Sequence, residues 1–392
     1  MAEKKRRGHN EGSIYYVPER DRWVVEVSTG PGRRKKFYCR TKQEAVKKKN
    51  EVLRELEKGT LADGPQRKLK DYLEDWIENV HRDNIRISTY VKYKKLIRYI
   101  VADLGEVWLQ KLTPEQVQRF YAKKRQDGLS SKTIHEIHGV LHLALKHAVR
   151  WNYVSRNVCD LIDSPRVVSR KGTPLTVEQA KKFLESIRGH RLELIVLTAI
   201  VTGMRRGEIL ALRWSDIDLE RHVLSVLRTV DYIYPFGYVE NEPKTKSGRR
   251  LIELPEFYIT LLKQHKVKQT EQRLKVGEKW ENRDLVFPGL TGGYMSPAHL
   301  DDDFAKLVQK AGLPPMPFHD LRHSAATILI GMGINPKVIQ ELLGHSDISI
   351  TLGIYGHLFP TMQQEVVEKW QGVFGEKDED DGDEGVGGPV LV

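Results

Sequence analysis

The sequence predicts a multidomain α+β protein. Its expected parts are a small three-stranded sheet plus one helix, then an all-helical bundle, then a mainly helical domain with a small antiparallel sheet. Three observations lead to this prediction. The chain has 392 residues, which is too long for one compact core. Short β-rich runs are confined to the first sixty residues and to two later segments. Segments with apolar residues at helical spacing fill most of the remainder.

The first part, which we place at residues 1–62, is a strand-rich unit. The runs SIYYV, RWVVEV and KKFYC are separated by the turn signals PERD and TGPG, and Thr41 to Glu44 form a capping box ahead of a helix. A unit this small buries little surface and is typical of a recognition module. A basic run at the entry to the third strand favours contacts with DNA phosphates; its members are Arg33, Arg34, Lys35 and Lys36. The alternative is a solvated edge strand guarded by lysines.

The second part is the helical bundle, at residues 67–163. One helical face is marked by apolar residues at Leu69, Tyr72, Leu73, Trp76, Ile77 and Val80. Thr113 to Gln116 form another capping box, with proline at the first helical position. Ser88 and Ser131 are the predicted caps of two further helices.

The third part spans residues 170–375 and follows the proline-containing linker DSPRVVSRKGTP. Thr176 to Gln179 cap its first helix. HVLSVLRTV and RRLIELP alternate like strands, and helices are expected over RLELIVLTAIVT, EFYITLLKQHKVKQ, PAHLDDDFAKLVQKAG and HDLRHSAATILIGMG. Residues 376–392 are acidic and Gly-rich, and a disordered tail is expected there.

Charge and cysteine content indicate the kind of partner and the compartment. Lys plus Arg number 64 against 53 for Asp plus Glu, a net charge of +11 that favours a polyanion such as nucleic acid. A merely basic protein is the alternative. Cys39 and Cys159 are the only cysteines, which fits a reducing cytosol. No apolar run has the width of a bilayer, so no membrane partner is expected.

Four motifs carry residues suited to chemistry. TGMRRGE places Arg205 at a turn with Glu208 three residues on, and HDLRH places His319 and Arg322 one turn apart at a helix start. PKTKSGRR and LGHSDISITLGIYGH supply Lys244 or Lys246, His345 and Tyr355. Taken singly, each has a plainer explanation: a buried Arg–Glu pair, a helix cap beside a surface arginine, solubilising lysines at a hairpin, and a core tyrosine.

Together these groups suit a reaction at a phosphodiester without metal or cofactor. The motifs contain neither paired carboxylates at metal-ligand spacing nor a P-loop, and HDLRH lacks the glutamate of a zinc-protease helix. Arginine forks match phosphate oxygens and stabilise the charge of a pentavalent transition state. A phenol attacks once it loses its proton, which nearby cations favour. Lysine is a suitable proton donor to a leaving oxygen.

Five motifs in this order, TGMRRGE, PKTKSGRR, HDLRH, LGHSDIS and TLGIYGH, resemble those of the tyrosine recombinase (phage integrase) family. The N-terminal unit is similar to the arm-site DNA-binding domain of the larger integrases, and the bundle to their core-site-binding domain. The resemblance implies a site-specific recombinase that integrates and excises a mobile element or prophage through a 3′-phosphotyrosyl intermediate. It further implies a homotetramer on double-stranded DNA in the bacterial cytosol, aided by a host DNA-bending protein and an excision factor.

The resemblance also implies a role for each site residue. Arg205 and Arg322 would clamp the scissile phosphate, with His319 and His345 adding hydrogen bonds. Lys244, or Lys246 as the alternative, would protonate the leaving 5′ oxygen, and Tyr355 would be the nucleophile. Glu208 would orient an arginine. Two other functions stay open at this point: a type IB topoisomerase-like enzyme, and a DNA-binding regulator without catalysis.

Overall fold

The structure is a computed structural model that describes residues 12–30, 33–57, 65–167, 172, 174–243, 246–344 and 370. The chain divides into two compact units, residues 1–170 and 171–392. Within the described ranges, no helix has both the length and the apolar character needed to cross a membrane.

The first unit begins with an antiparallel sheet in the order β1-β2-β3 and a helix packed against it. The elements are β1 (Ser13–Val17), β2 (Arg22–Gly30), β3 (Arg33–Cys39) and α1 (Lys42–Glu57). Val25 and Val27 are fully buried in a small core with Ala45 and Val52 of α1. This follows from the period-2 alternation of β2, which sends every second side chain toward the helix.

The predicted cap of α1 is present in a shifted form. The Thr41 hydroxyl accepts a hydrogen bond from the backbone N–H of Glu44 at 3.2 Å. The Glu44 carboxylate reaches back to the N–H of Arg40 at 2.9 Å instead of that of Thr41. Both bonds satisfy donors at the helix start, so the cap fixes where α1 begins.

Next in this unit is the helical bundle. Its helices are α2 (Leu69–Asp75), which continues into a π-helical turn (Trp76–His81), α3 (Ile87–Leu104), α4 (Pro114–Gln126) and α5 (Ser131–Arg150). The predicted apolar face is buried at Leu69, Tyr72, Leu73, Trp76 and Ile77.

Sequence reasoning placed the caps of this bundle with mixed success. The capping box of Thr113 and Gln116 is confirmed. The cap of α5 is Ser130 rather than Ser131, because the Ser130 hydroxyl accepts from the N–H of Thr133 at 3.2 Å. The prediction that Ser88 caps a helix is wrong, because α3 already begins at Ile87 and its N-cap residue is Arg86.

The second unit is mainly helical. Its helices are α6 (Val177–Ser186), α7 (Glu193–Thr202), α8 (Arg206–Leu210), α9 (Glu256–Val276), α10 (Pro297–Lys310), α11 (Asp320–Gly331) and α12 (Pro336–Leu343). The capping box at Thr176 and Gln179 is confirmed. Helices α7, α9 and α10 share one apolar core, whose largest fully buried side chains include Phe183, Tyr258 and Phe304.

Small antiparallel sheets complete this unit. One has the order β4-β5-β8, built from β4 (Ile217–Asp218), β5 (Val223–Val226) and β8 (Arg250–Glu253). The two runs predicted as strands therefore pair with each other as β5 and β8. A second hairpin, β6 (Thr229–Ile233) with β7 (Gly237–Asn241), was not predicted. The fold class expected from the sequence is confirmed.

Candidate active site

Arg205 stands at the turn between two helices. Helix α7 ends at Thr202, its C-cap residue Gly203 takes the left-handed conformation with φ of 60°, and Arg205 is the extended residue before α8. The Glu208 carboxylate accepts hydrogen bonds from the Arg205 backbone N–H at 2.9 Å and from its guanidinium Nη1 at 2.8 Å. The predicted role of Glu208 in orienting an arginine therefore has a geometric basis.

Gly203 brings the second arginine to the same turn. Its carbonyl accepts a hydrogen bond from Nη1 of Arg322 at 2.8 Å. A Cβ at this position would lie 2.2 Å from Cδ2 of Leu343, the last residue of α12, and the positive φ also favours glycine. The turn is thus fixed by close packing, and it holds Arg205 and Arg322 close together.

Helix α11 carries His319 and Arg322 one turn apart. His319 is its N-cap residue and Arg322 is only 2% exposed. Ser324 on the same helix donates to the Asp320 carbonyl and accepts from the N–H of Leu175, both at 2.9 Å. These bonds fix the start of α11 against the chain segment that enters the unit.

The His319 imidazole lies in a positive field. Removal from solvent on its packed side is the first cause that lowers its pKa, and the positive charges of His323, Arg322 and Arg205 add to it, giving a pKa of about 4. The residue still keeps an exposed surface. The ring is therefore neutral at neutral pH, so one nitrogen can accept a hydrogen bond and the other can donate one.

Behind Arg205 lies an ion pair that sequence reasoning missed. Glu208 is shared between Arg205 and Arg250, whose Nη2 lies 3.1 Å from Glu208 Oε2. Burial alone would raise the pKa of the Glu208 carboxyl, but the charges of Arg250 and Arg205 and the Arg205 N–H outweigh it and hold the pKa below its ordinary value. A signal for Arg250 exists in the sequence. Alternation in the predicted strand RRLIELP puts Arg250 on the same face as Ile252 and Leu254, and an arginine on an apolar face needs a carboxylate.

The structure thus brings together Arg205, His319 and Arg322 of the predicted set. Lys244, His345 and Tyr355 lie outside the described residues. Lys246 begins a short 3₁₀ turn, Lys246–Gly248. At Lys246 itself the structure describes the backbone only.

The side chains of the basic run in β3 project to both faces of the sheet. Arg34 and Lys36 project to the face that carries Glu26, and each lies 3.9 Å from its carboxylate. Lys35 is paired in register with Val27 and projects to the face covered by α1, where its Nζ lies 5.9 Å from the centre of the Phe37 ring. Arg33 begins the strand. Two of the predicted DNA contacts therefore share the face opposite the helix.

The arrangement around Arg205 is suited to an anion. Arg205 and Arg322 meet at the Gly203 turn, His319 is the N-cap residue of α11, and the Glu208 carboxylate that binds Arg205 is buried. Among the described side chains, no group of three or more His, Cys, Asp or Glu comes together as a metal site would require.

Two family models match the chain. The model of the phage integrase family matches residues 173–362, and that of the phage integrase N-terminal SAM-like domain matches residues 68–125. A tyrosine recombinase XerC-like protein of Caldanaerobacter subterraneus subsp. tengcongensis is 34% identical over 364 residues, which cover 87% of this chain and 92% of the relative. The ICEBs1 integrase of Bacillus subtilis is 26% identical over 368 residues, covering 90% and 97%.

Solved structures agree in fold. The Tn1549 transposon integrase in complex with transposon right end DNA has 25% identity and a TM-score of 0.66, covering 77% of this chain and 99% of the other. A lambda integrase tetramer bound to a Holliday junction has 17% identity and a TM-score of 0.54, covering 85% and 95%.

Proposed function

The chain belongs to the phage integrase family of tyrosine recombinases, and from that premise we propose that Tyr355 cuts DNA at specific sites to integrate and excise a mobile element. The phenolate oxygen attacks the scissile phosphorus, the bond to the 5′ oxygen breaks, and a 3′-phosphotyrosyl link forms. Attack by the 5′ hydroxyl of a new strand then expels the tyrosine. The energy of the broken bond is kept in the intermediate, so no other energy source is consumed.

The observation that carries this proposal is the meeting of Arg205 and Arg322 at the Gly203 turn. The N–H donors of a guanidinium match the nonbridging oxygens of a phosphate. The charges of the two arginines stabilise the dianionic transition state more than the singly charged diester, and this difference is what accelerates cleavage.

Proton transfer is assigned to the remaining groups. Lys244, or Lys246 in its place, gives a proton to the leaving 5′ oxygen, and His345 adds a hydrogen bond to the phosphate. His319 is neutral in the free protein because its pKa is near 4. The negative charge of a bound phosphate raises that pKa, so His319 takes up and returns a proton during the reaction.

Recognition of the attachment sites is assigned to the parts that precede residue 170. Residues 1–62 bind arm sites, with Arg34 and Lys36 on phosphates, and residues 67–163 bind core sites. The support for Arg34 and Lys36 is their position on the sheet face opposite α1. Residues 170–375 form the catalytic domain.

The assembly follows from the chemistry. Exchange between two duplexes breaks four strands, and each break uses one tyrosine, so a homotetramer on DNA is part of the proposal. A host DNA-bending protein, an excision factor and action in the bacterial cytosol complete it.

The test is covalent trapping on a site duplex nicked just 3′ of the scissile phosphate, with EDTA present. Wild-type protein is expected to form an adduct that survives a denaturing gel, whereas Tyr355→Phe binds the DNA and forms none. Tyr232→Phe is the matched control, since Tyr232 is an exposed tyrosine of the same unit.

An adduct formed by Tyr355→Phe would overturn the assignment of the nucleophile. An adduct from wild type together with relaxation of supercoils, but without exchange between two sites, would indicate a topoisomerase-like enzyme. DNA binding without any adduct would indicate a regulator.

A further inference from the structure

Arg250 lies where three elements of the second unit meet. Its Nη2 bonds to Glu208 Oε2 on α8 at 3.1 Å, and its Nε donates to the Leu342 carbonyl at the end of α12 at 2.6 Å. Its Nη1 donates to the Gly248 carbonyl, in the turn before β8, at 3.2 Å. One side chain thus links the turn after Lys244, the helix before His345 and the carboxylate that holds Arg205.

Hydrogen bonding and exposure together separate the roles of Arg205 and Arg250. The Arg250 side chain is 5% exposed, whereas that of Arg205 is 41% exposed. All three guanidinium nitrogens of Arg250 already donate to protein oxygens, so Arg205 is the member of this pair that offers its charge to a DNA phosphate. We propose that Arg250 is a positioning residue for strand cleavage, which acts on the phosphate through Glu208 and Arg205; this inference rests on the proposed function.

The charge balance of the cluster explains how Arg250 acts. Glu208 Oε1 accepts a hydrogen bond from Nη1 of Arg205, while Oε2 accepts hydrogen bonds from the Arg205 backbone N–H and from Nη2 of Arg250. Two cations and one buried anion give this cluster a net charge of +1. That charge is available to a phosphate at Arg205, the exposed arginine. Without Arg250, the whole Glu208 charge is balanced by Arg205 alone. Arg205 is then held more tightly by Glu208 and has less charge for the phosphate.

The same side chain fixes two segments that lead to predicted catalytic residues. A Cβ on Gly344 would lie 2.6 Å from the Ser247 carbonyl oxygen and 3.2 Å from Cδ of Arg250. The end of α12 and the Lys246–Gly248 turn therefore pack backbone against backbone beside Arg250. The planar fork of arginine serves three acceptors in different directions, which the single ammonium of lysine does not.

The experiment compares Arg250→Gln and Arg250→Lys with Arg249→Gln. Arg249 is the neighbouring arginine, 55% exposed, and it pairs with Glu242 at 2.5 Å. Single-turnover cleavage of the nicked duplex at saturating protein is expected to fall about 100-fold in Arg250→Gln, the size of effect seen when one preorganised donor is lost. Arg250→Lys keeps the charge but not the three hydrogen bonds, so a smaller loss is expected. DNA affinity stays as in wild type, and Arg249→Gln cleaves normally.

A neutral substrate separates positioning from folding. A methylphosphonate at the scissile position lacks the charge that Arg205 balances. If Arg250 acts through Arg205, the loss in Arg250→Gln shrinks to a few-fold on this substrate. If Arg250 only stabilises the fold, the loss is equal on both substrates, and the inference is overturned.

Each failure is distinguishable. If Arg250→Gln is unfolded by circular dichroism, the charge-keeping Arg250→Lys is measured on both substrates with the same two outcomes. Normal cleavage by a folded Arg250 variant overturns the inference and leaves the function standing. Absence of any adduct from wild type overturns the proposed function instead.

Discussion

Glu208 and Glu26 each lie near two cationic side chains, but the two clusters differ in burial and in the distance between the charges. In the active-site cluster, Glu208 and Arg250 are nearly inaccessible, at 3% and 5% exposure, and their nitrogen and oxygen atoms lie 3.1 Å apart. In the N-terminal sheet, Arg34 and Lys36 are 72% and 50% exposed, and each stays 3.9 Å from Glu26.

The difference shows how burial decides what a charge is used for. A buried pair must keep its hydrogen bonds, because either charge left alone is strongly unfavourable, so the geometry around Arg205 is fixed before DNA arrives. An exposed pair contributes little and is screened by salt. The cations of the sheet therefore remain available to a polyanion, and they suit binding rather than catalysis.

The largest expected effect is on stability. Glu208→Ala leaves Arg250 buried without its carboxylate and is expected to lower the free energy of unfolding by about 3–5 kcal/mol. Glu26→Ala removes only the long contacts with the exposed cations Arg34 and Lys36 and is expected to cost less than about 1 kcal/mol. Equilibrium unfolding in urea measures both. Equal losses would show that the two clusters do not differ as described.

A smaller effect is expected from acid. His265 in the second unit donates from Nε2 to the Val286 carbonyl at 2.7 Å, and burial lowers its pKa below the ordinary value. The unfolded chain then binds a proton that the folded chain does not. Stability is therefore full above about pH 6.5 and falls as the pH drops below it.

The urea midpoint at pH 7.5 and pH 5.5 checks this, with His265→Gln as the variant that keeps a donor and does not titrate. The wild type is expected to lose more stability between the two pH values than the variant. Residues 12–57 contain no histidine. Hydrogen exchange corrected for its intrinsic pH dependence should therefore show no histidine-linked loss in the sheet. A pH dependence unchanged by His265→Gln would contradict the assignment.

The smallest effect is expected in the sheet itself. Lys36→Ala is expected to weaken arm-site binding a few-fold and to reduce the slope of log affinity against log salt by about 1, with stability unchanged. Lys35→Ala is the matched control, since Lys35 projects to the α1 side. Fluorescence anisotropy at several salt concentrations measures both. A larger loss from Lys35→Ala would contradict the assignment of faces.

The sequence alone determined most of the local structure and the family. Periodicity and caps predicted the strands β1 to β3, the helix after Thr41, and the helix starts at Thr113 and Thr176, because these signals act between neighbouring residues. The order of five motifs was enough to identify the family. Ser88 and the β6–β7 hairpin were misjudged, because a single residue or a short run carries too little local signal.

Only the tertiary structure decided which charges meet. Arg250 and Glu208 are 42 residues apart in the sequence, and Arg322 and Gly203 are 119 apart. Nothing local encodes those encounters, because they depend on how α8, β8, α11 and α12 pack. Burial then gave the two arginines different roles. Arg205 is exposed and can meet a phosphate, whereas Arg250 is buried and bound to Glu208. Because removing a charge from water is costly, the buried Arg250 must keep that carboxylate as its partner.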